Sequence, residues 1–291
     1  MTIPEATPRQ AQAAIDTRFV PVMGLAQRAP FVTFAILGVT IGISLIELAA
    51  RAGVGREVLL RFNEQVMGSQ IYALLAQAGY ASDPLLMFGA LIEPLIYAGQ
   101  YWRLLTPIFL HPYWWLLFVN MYAVYNVGRP VELYFGHWRF LALYLMGAVG
   151  GNVLSLLVTD QVGSGSGTAI GALLAGYMVF VYRNQEYFGS RYQPALQRIL
   201  ITLGINLVIW LMPGMAVWPI VGGMMVGIAF AWSVTPLYKL MVAVKTDSEG
   251  QVVEQFVFFE NKNTAAKGLL TGALISVVLF IVLIAARLSV R

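Results

Sequence analysis

Residues 166–182 and 217–236 contain no charged side chain, and residues 30–50 contain only Glu47. These runs constrain the fold more than any other feature of the chain. About 20 apolar residues in helical form suffice to cross a bilayer. Inside lipid, every backbone N–H and C=O must find its partner within the protein, as a helix allows. Apolar residues make up 59% of the 291 residues and charged residues 11%, whereas a soluble domain is roughly a quarter charged. The expected class is an all-α integral membrane protein. The formal charge of +4 comes from Lys and Arg at segment ends and requires no nucleic-acid partner. The absence of cysteine excludes disulfides, thiol catalysis and cysteine-ligated metal. With His111 and His137 on separate segments, no metal site and no cofactor are expected.

In chain order, residues 1–29 form a polar tail without the apolar run of a signal peptide. The first span is 30–50. A long connection, 51–111, follows. Its residues 56–78 have the pattern of a surface-lying amphipathic helix. Residues 84–98, interrupted by Glu93 and Pro94, are placed at the membrane interface. Spans two to six are 112–128, 138–158, 166–182, 196–212 and 217–236. The segment 239–266 alternates around Asp247-Ser248-Glu249-Gly250, which predicts a hairpin. The seventh span, 267–286, opens the terminal region 267–291. The membrane domain proper is 30–238.

Lys and Arg in short loops mark the cytoplasmic side. The connections 128–139, 183–198 and 239–267 carry two, three and four of them, and 159–165 and 213–216 carry none. This predicts a cytoplasmic N-terminus, an external C-terminus and an external 51–111 loop. Ser166 then lies at the outer end of span four. The compact loops suit a multi-pass protein of a bacterial inner membrane.

Several stretches match one family. They are Gly99-Gln100-Tyr101-Trp102-Arg103-Leu104-Leu105-Thr106-Pro107, Phe109-Leu110-His111, Asn120-Met121, Gly128-Arg129-Pro130-Val131-Glu132 and Trp138-Arg139-Phe140. Ser166-Gly167 opens span four, and Gly223-x-x-x-Gly227 lies in span six. Together, over residues 85–235, they resemble the rhomboid intramembrane serine proteases. The resemblance implies a six-helix bundle with a seventh helix added, and a water-filled cavity opening outside. It gives Ser166 the nucleophile's position and Asn120 a place in the oxyanion site. Three family positions depart: the histidine of span six is Ile220, the second oxyanion histidine is Leu116, and a tyrosine four after the serine is Ile170. The glycine two before the serine is Ser164.

A serine hydroxyl needs a neighbouring base, and isoleucine has no basic atom. Losing one member of a Ser–His unit costs about six orders of magnitude in a soluble protease. Losing an oxyanion donor costs roughly a further hundredfold. His137 falls on the wrong side. His111 matches a structural histidine of the family, and no histidine nitrogen is expected within about 3.2 Å of the Ser166 hydroxyl. Ser166 itself reads as a helix cap or packing residue. The glycines read as close-approach positions between helices. Trp102 and Arg103 read as interface anchors of the loop, and Trp114, Trp115, Trp210 and Trp218 as interfacial belts. Glu132 is expected to pair with Arg129 or Arg139.

Two functions follow. The first is a catalytically degenerate, rhomboid-like pseudoprotease. It would bind transmembrane helices of partner proteins, or serve as an accessory subunit of a membrane protein complex. The alternative is an active serine endopeptidase with a non-standard site using Ser166 and His111. A transporter lacks intramembrane charges for coupling and a detectable repeat.

Overall fold

The computed structural model describes residues 19–21, 29–55, 57–58, 61, 64–65, 73, 83–159, 162–213, 215–246 and 252–261. Beyond these it describes 270–272, 274–275, 278, 281–282 and 285. Helix α1, Phe31–Arg51, is the first apolar run, and no side chain of its own caps its start. A distant carboxylate does so instead. The N–H groups of Val32 and Thr33 donate to Glu132 at 2.9 and 2.7 Å, and the Thr33 hydroxyl donates at 2.6 Å. Negative charge is stabilised at the positive end of a helix. The remaining partner of Glu132 is His137 Nδ1 at 2.6 Å. Glu132 therefore ties α1 to the span two–three connection, a contact that the expected pairing with Arg129 or Arg139 did not include. Helix N–H groups supply the fixed donors, while Arg129 lies over the Tyr125 ring.

The described positions between 57 and 73 are helical and exposed. Residues 84–98 do more than lie at an interface. They form two short helices, α2 (Pro84–Met87) and α3 (Glu93–Tyr97), with Leu86, Leu95 and Ile96 buried. Two 3-10 turns follow, Tyr101–Leu104 and Thr106–Phe109. Helix α4, Trp114–Ala123, widens into a π turn at Val124–Gly128. Pro130, having no N–H to offer the preceding turn, stands at the point where α5, Arg129–Phe135, begins. Then come α6 (His137–Val158), α7 (Gly167–Arg183), the short α8 (Gln185–Phe188), α9 (Tyr192–Trp210) and α10 (Trp218–Val234).

Helix α7 is buried at nearly every position from Thr168 to Val181. A helix apolar all round belongs at the centre of a bundle, and α7 packs between α6 and α10. The α7–α10 approach is close because Gly223 faces the Thr168 carbonyl and Gly227 faces the Ala172 backbone. Gly272, in the helical segment after 270, stands against Phe230 of α10 and Met146 of α6. The bundle thus carries a further C-terminal helix on that side.

Among the described residues, the departure from an all-helical architecture is a small antiparallel sheet. Strands β2 (Tyr238–Thr246) and β3 (Val252–Asn261) pair in a hairpin register from Tyr238↔Glu260 to Thr246↔Val252. Strand β1, Phe19–Pro21, joins the other edge of β3. Part of the N-terminal tail is therefore structured, because an unpaired strand edge offers it a row of backbone partners.

Candidate active site at Ser166

The loop that delivers Ser166 is held by the connection between α1 and α4. Leu91 and Gly163 exchange both backbone hydrogen bonds, at 2.9 and 3.0 Å, and the Gly165 N–H donates to the Pro107 carbonyl at 2.8 Å. Gly165 has φ +106°, a left-handed conformation open to glycine. The connection is braced from within by Arg103, which is fully buried. Its Nη1 donates to the carbonyls of Leu86 and Ala90, both at 3.0 Å, and its Nε donates to Gln100 at 2.7 Å. Burial lowers its pKa to about 10, leaving it charged at neutral pH. Arg103 is thus the loop's internal brace, whereas Trp102 alone keeps substantial exposure. Asn152 of α6 adds a bond from its amide to the Leu104 carbonyl at 2.8 Å.

Ser166 precedes the first turn of α7, is fully buried, and makes no side-chain capping bond. Its hydroxyl partner is His111: Nε2 lies 3.4 Å from Ser166 Oγ. The contact lies just outside the distance of about 3.2 Å within which no histidine nitrogen is expected, and it is longer than a working base–nucleophile bond. His111 stands just before α4, 55 residues away in sequence, and the braced loop brings it inward. Its backbone N–H donates to Glu47 of α1 at 3.4 Å. Glu47 is itself buried and pairs with Arg51 at 2.7 Å. Burial pushes the His111 imidazole down to about 4, with the Phe109 backbone opposing the shift. Nδ1 makes no hydrogen bond of acceptable geometry.

A cavity of about 310 Å³ lies beside Ser166. Leu116 and Asn120, one turn apart on α4, line it together with Gly165, Gly167, Thr168, Trp210 and Ile220. The expected grouping of Leu116, Asn120 and Ile220 around the serine loop is therefore present. Asn120 is buried, and its amide nitrogen lies 3.7 Å from where a Cβ on Gly165 would stand. Ile220 packs on the first turn of α7, 3.5 Å from a Cβ position on Gly167 and 3.1 Å from one on Gly171. Ile170 is fully buried in the main core and is not part of the cavity wall. Of the described lining residues Asp83 is the one carboxylate, and it is engaged in capping α2 through Leu85 N–H at 2.9 Å.

Two residues were missed as parts of this site. Trp210, read as an interfacial aromatic, is 5% exposed, and its Nε1 lies 3.5 Å from a Cβ position on Gly167. Glu47 is the one charge within span one, and that isolation was the signal that it has a buried partner. Among the described residues no group of His, Cys, Asp and Glu could hold a metal ion.

Comparison with known proteins is consistent with this geometry. A sequence model of the Rhomboid domain matches residues 98–237, the stretch from before Trp102 to the end of α10. The chain is 32% identical over 176 residues to RHOMBOID-like protein 9, chloroplastic, of Arabidopsis thaliana, covering 60% of this chain and 40% of that protein. It is 32% identical over 128 residues to Rhomboid protease GluP of Bacillus subtilis (strain 168), covering 44% and 23%. Rhomboid-like protease 1 of Toxoplasma gondii is 41% identical over 75 residues, 26% of each chain. The chain thus spans less than half the length of these relatives. With the ordered motifs, the α7–α10 glycine contact and the serine loop all in place, residues 98–237 of this membrane protein are a Rhomboid domain.

Proposed function

We propose that this chain is a non-cleaving, rhomboid-like membrane protein that holds a transmembrane helix of a partner protein, alone or as an accessory subunit of a complex. The observation that carries the reading is Ile220. The side chain packed on Gly167 and Gly171, beside the serine loop, is aliphatic. The cavity that would receive a scissile bond has branched aliphatics at Leu116 and Ile220. Such a surface suits an apolar helix better than it suits charge development in a transition state.

One observation favours the second reading, an active endopeptidase: the 3.4 Å approach of His111 to Ser166. Two properties weigh against it. A general base works best with a pKa near the operating pH, and burial holds His111 near 4. A charge-stabilised base also needs a carboxylate at its other ring nitrogen, and among the described residues the ring has the Phe109 backbone there and no carboxylate.

The deciding measurement is labelling of the purified protein by a fluorophosphonate probe, with Ser166→Ala as blank. The proposal expects wild-type labelling equal to that of Ser166→Ala. It also expects Ser166→Ala to retain the same membrane proteins after mild-detergent purification. Labelling at Ser166 that is lost in His111→Ala would replace the proposal with the protease reading.

A further inference from the structure

At the end of the bundle away from Ser166, α7 stops at Arg183 and α9 starts at Tyr192. Two cavities adjoin there. One, of about 200 Å³, lies among Tyr134, Tyr177, Tyr187, Arg191 and Arg198. The other, of about 460 Å³, follows the seam between α4 and α9, walled by Val119, Tyr122, Ile201 and Ile205. Tyr177, Pro194 and Arg198 line both.

The two differ in chemistry. The smaller one is cationic. Among the described residues no Asp or Glu lines either cavity, and neither Arg191 nor Arg198 is in an ion pair with a carboxylate. Burial pushes the Tyr134 hydroxyl up and both arginines pull it back, so the two guanidinium groups act on one spot. Arg198 stands six residues into α9, about 9 Å along its axis. From there its stem can follow the apolar wall while its head returns to the polar end. The larger cavity is mostly apolar, and it opens sideways, since Tyr122 and Ile201 are 69% and 63% exposed.

We infer that the two cavities together bind one anionic phospholipid, its phosphate between Arg191 and Arg198 and an acyl chain in the α4–α9 seam. Planar guanidinium groups match phosphate oxygens in pairs. A polar pocket in series with an apolar groove has the outline of an amphiphile, and a seam open to the bilayer is reached by lateral diffusion. An acidic peptide would satisfy the arginines and leave the seam empty. The inference stands apart from the proposed function, because it concerns the opposite end of the bundle and does not involve the serine.

The test uses the full chain, delipidated in a neutral detergent, with bound lipid read by native mass spectrometry. The probes are dioleoyl and dihexanoyl phosphatidylglycerol, dioleoyl phosphatidylcholine, glycerol phosphate and an acidic peptide. Two arginines near a membrane surface give roughly a thirtyfold preference for the anionic lipid. Arg191→Gln with Arg198→Gln should bring that ratio close to one, and Arg61→Gln, far along the chain, should leave it unchanged. Ile205→Trp should weaken dioleoyl phosphatidylglycerol while sparing the short-chain dihexanoyl lipid, and it decides the matter if the double variant does not fold. Equal retention of the two dioleoyl lipids overturns the inference. So does full competition by glycerol phosphate or by the acidic peptide, and so does indifference of long-chain binding to Ile205→Trp.

Discussion

Gly227→Ala tests the contact on which the site's geometry depends. A Cβ at Gly227 would lie 2.6 Å from both the Cα and the carbonyl oxygen of Ala172. Ordinary contact begins at 3.4 Å, so α7 and α10 would have to part by some 0.8 Å. The obstacle is backbone, so no flexible side chain can yield. Overpacking a fitted core costs about 1–3 kcal/mol, and a backbone obstacle belongs in the upper part of that range. Alanine returns about 0.8–1 kcal/mol of helix propensity. The net loss is about 2 kcal/mol, or roughly 4–8 °C in unfolding midpoint. The control is Gly204→Ala on α9, where nothing lies within 4 Å and propensity alone acts. The assay is thermal unfolding of the two detergent-purified variants and the natural sequence, side by side. If Gly227→Ala unfolds at the same temperature as Gly204→Ala, the close α7–α10 approach is not what the helices rest on.

Two further outcomes are expected. Because burial puts the folded pKa of His111 near 4, below the ordinary 6.5, its neutral form stabilises the fold fully above pH 6.5. That stability, up to about 3 kcal/mol, is lost as pH falls from 6.5 towards 4. The midpoint should drop across this window in the natural sequence and less in His111→Gln, and parallel curves would show that His111 is not buried neutral. Restoring a base by Ile220→His should leave fluorophosphonate labelling of Ser166 weak, and adding Leu116→His should raise it on the order of a hundredfold. Adding Ile170→Tyr should mainly lower stability, since Ile170 is fully buried in the core. Equal labelling in the single and double variants would mean that Leu116 does not face the oxyanion.

The spans were legible because lipid leaves a chain so few choices. An uncharged run such as 166–182 has to be a helix, and its small residues have to face other helices. The site was legible as an ordered set of short motifs and not as chemistry. Leu116, Asn120 and Ile220 do line one cavity, since i and i+4 positions share a face wherever the helix points. What stayed hidden depends on long-range closure. Glu132 reaches the start of α1, about a hundred positions back, and no local pattern distinguishes that from a pair with Arg129. Arg103 looked like an interface anchor, because a buried arginine bonded to carbonyls is recognisable only once the loop that buries it is folded. His111 turned inward for the same reason. Its backbone is held by Glu47 of another helix, and sequence position gives no direction to its ring.

The Ser166–His111 contact is therefore not in itself a sign of catalysis. A fully buried hydroxyl without a partner costs a few kcal/mol, and a neutral imidazole 3.4 Å away offers one. That requirement alone accounts for the pair. Catalysis asks for more at the same ring: Nδ1 must be held so that Nε2 presents its lone pair to the hydroxyl, and the imidazolium that forms must be stabilised. Glu47, the nearest carboxylate engaged with this residue, accepts from the backbone N–H of His111 and from Arg51, and among the described residues the ring nitrogen meets the Phe109 backbone and no carboxylate. The two readings thus share one distance and part at Nδ1. A side chain that reached Nδ1 would convert the contact into a Ser–His–acid unit. As the residues stand, the same contact stabilises a neutral pair beneath a cavity whose wall at Ile220 is hydrocarbon.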